Sequence, residues 1–424
     1  MPKYNQKGFI AFFIAILVLV IVFGIVLSIS FLTLSQQKIS GNIIKSSQAY
    51  YVAEAGIEDS LLRLNKGMNF SNSYNLAVGQ AFAAIEISDL IGGSITITSF
   101  GDVSDRIKKI RVIRAMSTEG VSFYYGAQAG DGGIEMESNS VIHGNVFSNG
   151  TVRAVTGTAQ VDNSVIIAKS GNKLENLIVG SGSPDEARVH TCVDSIINGN
   201  FYYVSGGSSN CTVNGGSESV LPNEIDPEDM PISDEQIDNW KNEAAAGGVE
   251  FGDHTVLGGT TESFGPKKIE ANLIIENNAA LILTGTLWIT GDIIINNGAA
   301  IRLDNNYGST SGIIVADGGI TAENGAILEG SGAAESFVML LTTNNSLDSA
   351  NPAIFVKNNA QGAIFYTSVG MIRLRNNINI REATGWKIYL DNNAEITYES
   401  GLADLLFSSG PSGSWKIIEW REIE

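Results

Sequence analysis

Few side chains in this sequence are spaced for chemistry. The three histidines, His143, His190 and His254, stand in no H-E-x-x-H or other metal-ligand spacing. His190 lies two residues from Cys192, a pairing that suits a thiol activated by imidazole. Cys192 also has Cys211 as a partner. In an oxidising compartment the two predict a disulfide, worth about 3 kcal/mol for a loop of roughly 20 residues; two free buried thiols are the alternative. Arg373, Arg375 and Arg381 with Asp391 would suit a polysaccharide lyase or hydrolase if a fold aligned them in one groove, whereas outward charges on a solvated face are the simpler reading. Asp226, Glu228 and Asp229 offer oxygen ligands for Ca²⁺, but their spacing matches no EF-hand, and a solvated linker is the simpler reading. No G-x-S-x-G, P-loop or dinucleotide-binding glycine pattern occurs in a suitable context. The expectation is a protein that is not an enzyme, with no cofactor and no bound metal.

Charge sharpens that expectation. Residues 1–119 carry a net +3 and residues 120–424 a net −22. A distal part so acidic argues against nucleic acid, whose binders need basic footprints, and suits a solvated surface. At 424 residues, with 47 Gly and 8 Pro, the chain exceeds one ordinary core and favours strands and tight turns.

The element that must position everything else is the uncharged run Phe9 to Leu34, 26 residues long. As a helix it reaches about 39 Å, enough for a hydrocarbon layer of about 30 Å. Lys3 and Lys7 precede it and mark a cytoplasmic side. A cleaved secretory signal would have a shorter apolar core and a small-x-small exit, which is not evident here. A plain transmembrane anchor fits length and flank.

A third reading rests on Lys7-Gly8-Phe9 directly before the apolar run and on Ala49 with Ala53-Glu54-Ala55-Gly56-Ile57-Glu58 after it. This combination, over roughly residues 1–65, resembles the N-terminal domain of PilX-type minor pilins and type IV pilus assembly proteins. The resemblance implies cleavage by a prepilin peptidase between Gly8 and Phe9. It also implies a helix that assembles among other pilin-like subunits or stays in membrane lipid. Major pilins carry Glu at the fifth mature position; Phe13 stands there. Without that carboxylate, pairing with a neighbouring subunit's amine is lost, which points to a minor or accessory role. Glu54 is a candidate interface carboxylate, with a solvated or capping group as the plainer reading.

Beyond the span, Ile43, Tyr50, Ile57, Leu61 and Leu64 recur at helical steps and predict an amphipathic continuation, ended by Arg63, Lys66 and Gly67. Residues 81–88, 94–100 and 106–115 read as strands, punctuated by Gly92-Gly93 and Gly101-Asp102. Lys108, Lys109, Arg111 and Arg114 make the last of these basic.

From about Gly120 the pattern changes. Asn-Asn-Ala, Asn-Gly-Ala and similar turns recur at intervals of 19, 27, 35, 18 and 16 residues, separated by short runs such as Leu273-Ile274-Ile275 and Ile293-Ile294-Ile295. A base period near 18 with Asn turns predicts a parallel β-solenoid of roughly 60 Å at about 4.8 Å per coil. A β-sandwich would show longer strands and two-residue hairpins. This part distantly resembles bactofilin-like solenoids and the β-helices of surface adhesins. Leu221 to Ile237 breaks the repeat with acidic residues and three prolines, and Ser233-Asp234-Glu235-Gln236 predicts a capping box opening a short helix. The last residues, 411–423, alternate Trp415 and Ile417 and are expected to close an open end of the solenoid.

The expected fold is mainly β: a pilin-like transmembrane helix with a small sheet, then a parallel β-solenoid. The expected divisions are a leader at 1–8, the helix at 9–67 with its membrane span at about 9–34, a small sheet at 68–119, solenoid at 120–220, an acidic excursion at 221–248, and solenoid with a C-terminal cap at 249–424. The expected function is that of an envelope protein displaying the solenoid outside the cell, for pilus assembly, adhesion or attachment to a surface polysaccharide or host ligand. A membrane-anchored carbohydrate-active enzyme and a polymer-forming scaffold are the competing readings.

Overall fold

A computed structural model describes residues 7–65, 68, 71–88, 94–116, 118–181, 185–204, 207, 209–410, 413 and 415–423. Lys3, the Lys66-Gly67 end signal, the Gly92-Gly93 turn and Pro411-Ser412 lie outside the described residues. The chain divides into two compact units.

The first unit holds helix α1, Lys7–Asn65, about 88 Å at 1.5 Å per residue. Its N-terminal part is apolar all round. From Ile10 to Leu34 every residue is exposed, and α1 is a helix long and apolar enough to cross a membrane. Its C-terminal part lies on a five-stranded sheet in which Ser73–Val78, Ala81–Ile87, Ser94–Asp102 and Ile107–Met116 neighbour one another in chain order. Val52, Ala53 and Ile57 pack there with Ile85, Ile97, Ile110 and Val112. The fifth strand, Trp415–Ile423, adds beside Ile107–Met116. That corrects the expectation for the C-terminus, which completes this sheet and does not cap the solenoid. The reason is charge: Arg111 pairs with Glu419 at 2.9 Å, and Lys108 with Glu422. The basic strand thus meets acidic residues of the chain's last strand.

The second unit is a parallel solenoid with three short strands per coil. The register shows its period: His254 pairs with Leu273, Leu273 with Ile293, Ile293 with Ile320, and Ile354 with Ile372. The inward ladder Val256, Ile275, Ile295, Ala322, Val356, Leu374, Leu390, Met136 and Ala154 is buried throughout. Turns rest on residues that tolerate the left-handed region. Asn278, Asn359, Asn377, Asn393 and Asn139 have φ of 56–60°, the conformation for which Asn and Gly are favoured. Asn324 donates to the Asn297 side chain at 3.1 Å, a link along the axis.

The stack is not in chain order. Asn379–Leu390 pairs with Ala127–Met136, and Glu395–Thr397 with Val141–His143. The chain therefore starts in the middle, winds to one end at Leu221, and reaches the other end at Val249. It then winds back until Thr397 meets the starting level. We call the join between the two halves the seam.

Residues 222–248 carry the chain from one end to the other along one face. Lys169 N–H donates to the Ile225 carbonyl at 3.0 Å, Asn149 Nδ2 to the Glu228 carbonyl at 2.8 Å, and Tyr366 Oη to the Ile232 carbonyl at 2.9 Å. Helix α2, Asp234–Ala246, follows, with the capping box of Ser233 and Gln236 in place. Its Ile237 and Trp240 join Ile313, Val315, Met339, Leu341, Ile364 and Tyr366 in a second core outside the solenoid. An antiparallel ribbon of Thr118–Val121 and Leu405–Ser408 contributes Val121, Leu405 and Phe407 to it. The expected solvated excursion is thus a docked strap.

Candidate functional site

The small residues of the Ala49-to-Glu58 motif have a packing role. Ala49, Ala53 and Ile57 are fully buried. A Cβ on Gly56 would stand 2.3 Å from Ser99 Oγ and 2.9 Å from Ala83 Cβ, and one on Gly101 would stand 2.1 Å from the Ala49 carbonyl oxygen. Helix and sheet therefore touch backbone to backbone, which only small residues allow. Gly8 and Phe9 fall in the first turn of α1. Phe13 is exposed on the apolar part, and Glu54 is half-buried with no ion pair among the described residues. These four positions are spread along one helix and are not gathered into a pocket.

The solenoid's chemical residues are mostly satisfied by one another. Cys192 and Cys211 form a disulfide with Cα atoms 6.1 Å apart. It ties the strand Ser209–Leu221, which ends the stack, to Thr191–Val204. Each histidine meets a carboxylate: His143 with Asp162 at 2.5 Å, His190 with Glu224 of the strap at 2.8 Å, and His254 with Glu250 at 2.9 Å. His190 is engaged by the strap, while Cys192 is bonded in the core. Arg373 grips the buried Asp391 through two bonds of 3.0 and 3.1 Å, and Arg375 approaches it at 3.2 Å. Arg381 is elsewhere, paired with Glu399 at 3.0 Å. The structure brings three of the four together as a closed ion-pair cluster, whose carboxylate is already saturated by cations. In the strap, Glu228 accepts from Tyr125 Oη at 2.9 Å and the Asp229 carbonyl accepts from Gln128 at 2.9 Å. No group of three or more His, Cys, Asp or Glu with metal-holding geometry occurs among the described residues.

One site escaped sequence reasoning. Glu382 is fully buried at the seam, on the face covered by strap and ribbon. Burial pushes its carboxyl well above the ordinary range, only partly opposed by a 2.6 Å hydrogen bond from Thr384 Oγ1. In sequence, Glu382 follows Arg381 and precedes Ala383-Thr384, and nothing in that stretch marks it as buried. The available signal was elsewhere: the continuous apolar runs Ile313-Ile314-Val315 and Val338-Met339-Leu340-Leu341 mark strands buried on both faces. Also at the seam, Glu135 receives Lys387 at 2.9 Å as well as Arg153. Burial raises this carboxyl, but the two cations outweigh it and hold it below the ordinary value.

Comparison with known proteins agrees with the N-terminal geometry. No curated protein matches the chain. Among solved structures, the competence-associated pilin ComZ from Thermus thermophilus aligns at 12% identity and a TM-score of 0.23, covering 89% of this chain and 97% of that one. An ice binding protein from an Antarctic bacterium, Flavobacteriaceae, aligns at 10% identity and a TM-score of 0.22, covering 65% of this chain and 81% of that one. Neither alignment bears on binding or activity. The family model described as PilX N-terminal matches residues 7–58. Over that segment, which holds the apolar helix and the small-residue motif seated on the sheet, the chain is similar to the N-terminal part of PilX-type, type IV pilus-related proteins.

Proposed function

We propose that this chain is a minor pilin-like subunit, processed after Gly8 by a prepilin peptidase, that presents its acidic solenoid outside the cell. The observation that carries this reading is the division of α1. Its first part exposes apolar side chains on all sides, while its second part is seated on a sheet through Ala49, Ala53 and Gly56. Such a helix needs lipid or the apolar helices of other pilin-like subunits around it. Phe13 in place of a carboxylate suits an accessory position, and Glu54, half-buried and unpaired by ions, is available to a neighbouring subunit's cation. The solenoid supplies an extended, hydrogen-bonded surface for assembly, adhesion or attachment to a surface polysaccharide or host ligand. Nothing about the Arg373–Asp391 cluster suits acid–base catalysis, since its carboxylate is neutralised by two guanidinium groups.

N-terminal sequencing of the protein from its native membrane tests the processing step. A mature chain beginning at Phe9 is expected, and one beginning at Met1 defeats it. Copurification with sheared pilus filaments tests the assembly role. A protein that stays wholly in the membrane fraction would limit it to an assembly factor.

A further inference from the structure

We propose that Thr384 and Gln128 become joined by an intramolecular ester bond across the seam, formed by the chain itself with Glu382 transferring the proton. Thr384 and Gln128 are register partners in adjacent parallel strands. Ala383 and its partner Ala127 point into the solenoid core, as does Ala129, so Thr384 and Gln128 share the opposite, strap-covered face. Strands about 4.8 Å apart bring a Gln amide carbon within reach of a neighbouring Thr hydroxyl. That hydroxyl donates to Glu382 Oε1 at 2.6 Å. The amide is held by the strap, where Gln128 Nε2 donates to the Asp229 carbonyl at 2.9 Å. Among the described residues, Glu382 Oε2 has no hydrogen-bond partner. Thr384 and Glu382 are 0% exposed and Gln128 is 6% exposed, so bulk water is kept from the three groups.

This arrangement contains a nucleophile, an electrophile and a proton carrier. Thr384 Oγ1 attacks Gln128 Cδ while its proton passes to Oε1 of Glu382 in its ionised form. Collapse of the tetrahedral intermediate breaks the Cδ–Nε2 bond as that same proton moves from Glu382 to the departing nitrogen. One hydroxyl and one primary amide give one ester and one ammonia, and Glu382 ends ionised as it began. No oxidant or co-reactant enters. An amide is a poor acyl donor, so the step depends on fixed proximity, for which effective molarities of about 10⁵–10⁸ M are known, and on escape of ammonia. Exclusion of water then protects the ester from hydrolysis. The product fastens the two halves of the solenoid covalently where strand pairing, apolar packing and the Glu135–Lys387 ion pair already join them.

Tryptic digestion and mass spectrometry of the full-length protein in detergent test this directly. The expected result is one species combining residues 115–153 with residues 382–387, lighter than their sum by one ammonia, and separated by alkaline hydroxylamine. Thr384→Ser should keep the link; Thr384→Val and Glu382→Gln should abolish it. Two unlinked peptides from the wild-type protein overturn the proposal. A linked species that survives in Thr384→Val overturns the assignment of the nucleophile.

Discussion

Two of the joins between segments far apart in the chain are held differently. In the five-stranded sheet, Ile107–Met116 meets Trp415–Ile423, with Ile417, Ile418 and Trp420 exposed by 48, 64 and 37% and the ion pairs of Lys108 and Arg111 across the join. At the seam, Ala383, Ile388 and Leu390 pair with Ala127, Ile134 and Met136, all fully buried. Exposed ion pairs contribute about 0–1 kcal/mol each, whereas burying an aliphatic side chain contributes about 1.5–3 kcal/mol. The contrast teaches that complementary charge selects the partner of the last strand, while apolar burial supplies the cohesion of the solenoid.

The comparison breaks most readily at the seam. Ile388→Ala should cost about 2–5 kcal/mol, read as a lower midpoint in chemical denaturation of the solenoid; a loss below about 1 kcal/mol would deny the seam its cohesive role. In the first unit the counterpart is the contact of helix and sheet. Gly101→Val forces a side chain onto the Ala49 carbonyl and should cost about 1–3 kcal/mol, seen as faster amide exchange in the strands beneath α1. A fold that absorbs valine without change would show that the close approach is not needed.

Acid and alkali should act on the seam from opposite sides. Glu135 has a folded pKa below its ordinary 4.5, so its contribution is full above 4.5 and is lost as pH falls through the lowered value. Glu382 has a folded pKa well above 4.5, so its contribution is complete below 4.5 and is lost as pH rises through the raised value. Denaturation midpoints should fall at both extremes, and Glu135→Gln should flatten the acid limb alone. Smaller effects sharpen the picture. Asn359→Ala places alanine at φ 60° and should cost about 1–2 kcal/mol, while Asn359→Gly should be close to neutral. Glu419→Gln should cost about 1 kcal/mol or less, vanishing in high salt; a salt-independent loss would mean that the ion pairs do more than choose a partner.

The solenoid was legible because its turns need residues that accept positive φ, and Asn-Asn-Ala and Asn-Gly-Ala declare them one coil at a time. The helix was legible because Phe9 to Leu34 carries no charge and Ala49, Ala53 and Gly56 recur on one side. The order of the coils was not. Ile388 offers the same aliphatic surface to whichever strand lies next to it, so periodicity reports that coils stack but not which ones. The last strand was misread for a related reason: Trp415 and Ile417 suit any β edge, and only the match of Glu419 and Glu422 to Arg111 and Lys108 chooses the sheet. Glu382 stayed hidden because its face looks outward from the solenoid and is covered by a strap and ribbon far away in sequence.

The out-of-order stack has a further consequence. A solenoid wound in chain order would leave its first and last residues about 60 Å apart. Here Val141–His143 and Glu395–Thr397 lie side by side, and the flanking strands Thr118–Val121 and Leu405–Ser408 zip together. The module's two ends meet, so it can interrupt a small antiparallel sheet between neighbouring strands as a hairpin loop would. Both extremities of the stack, at Leu221 and Val249, lie away from the level at which those ends meet. Coils can accordingly be gained or lost at either extremity, with a matching change in the strap, while the doorway through which the chain enters and leaves stays fixed.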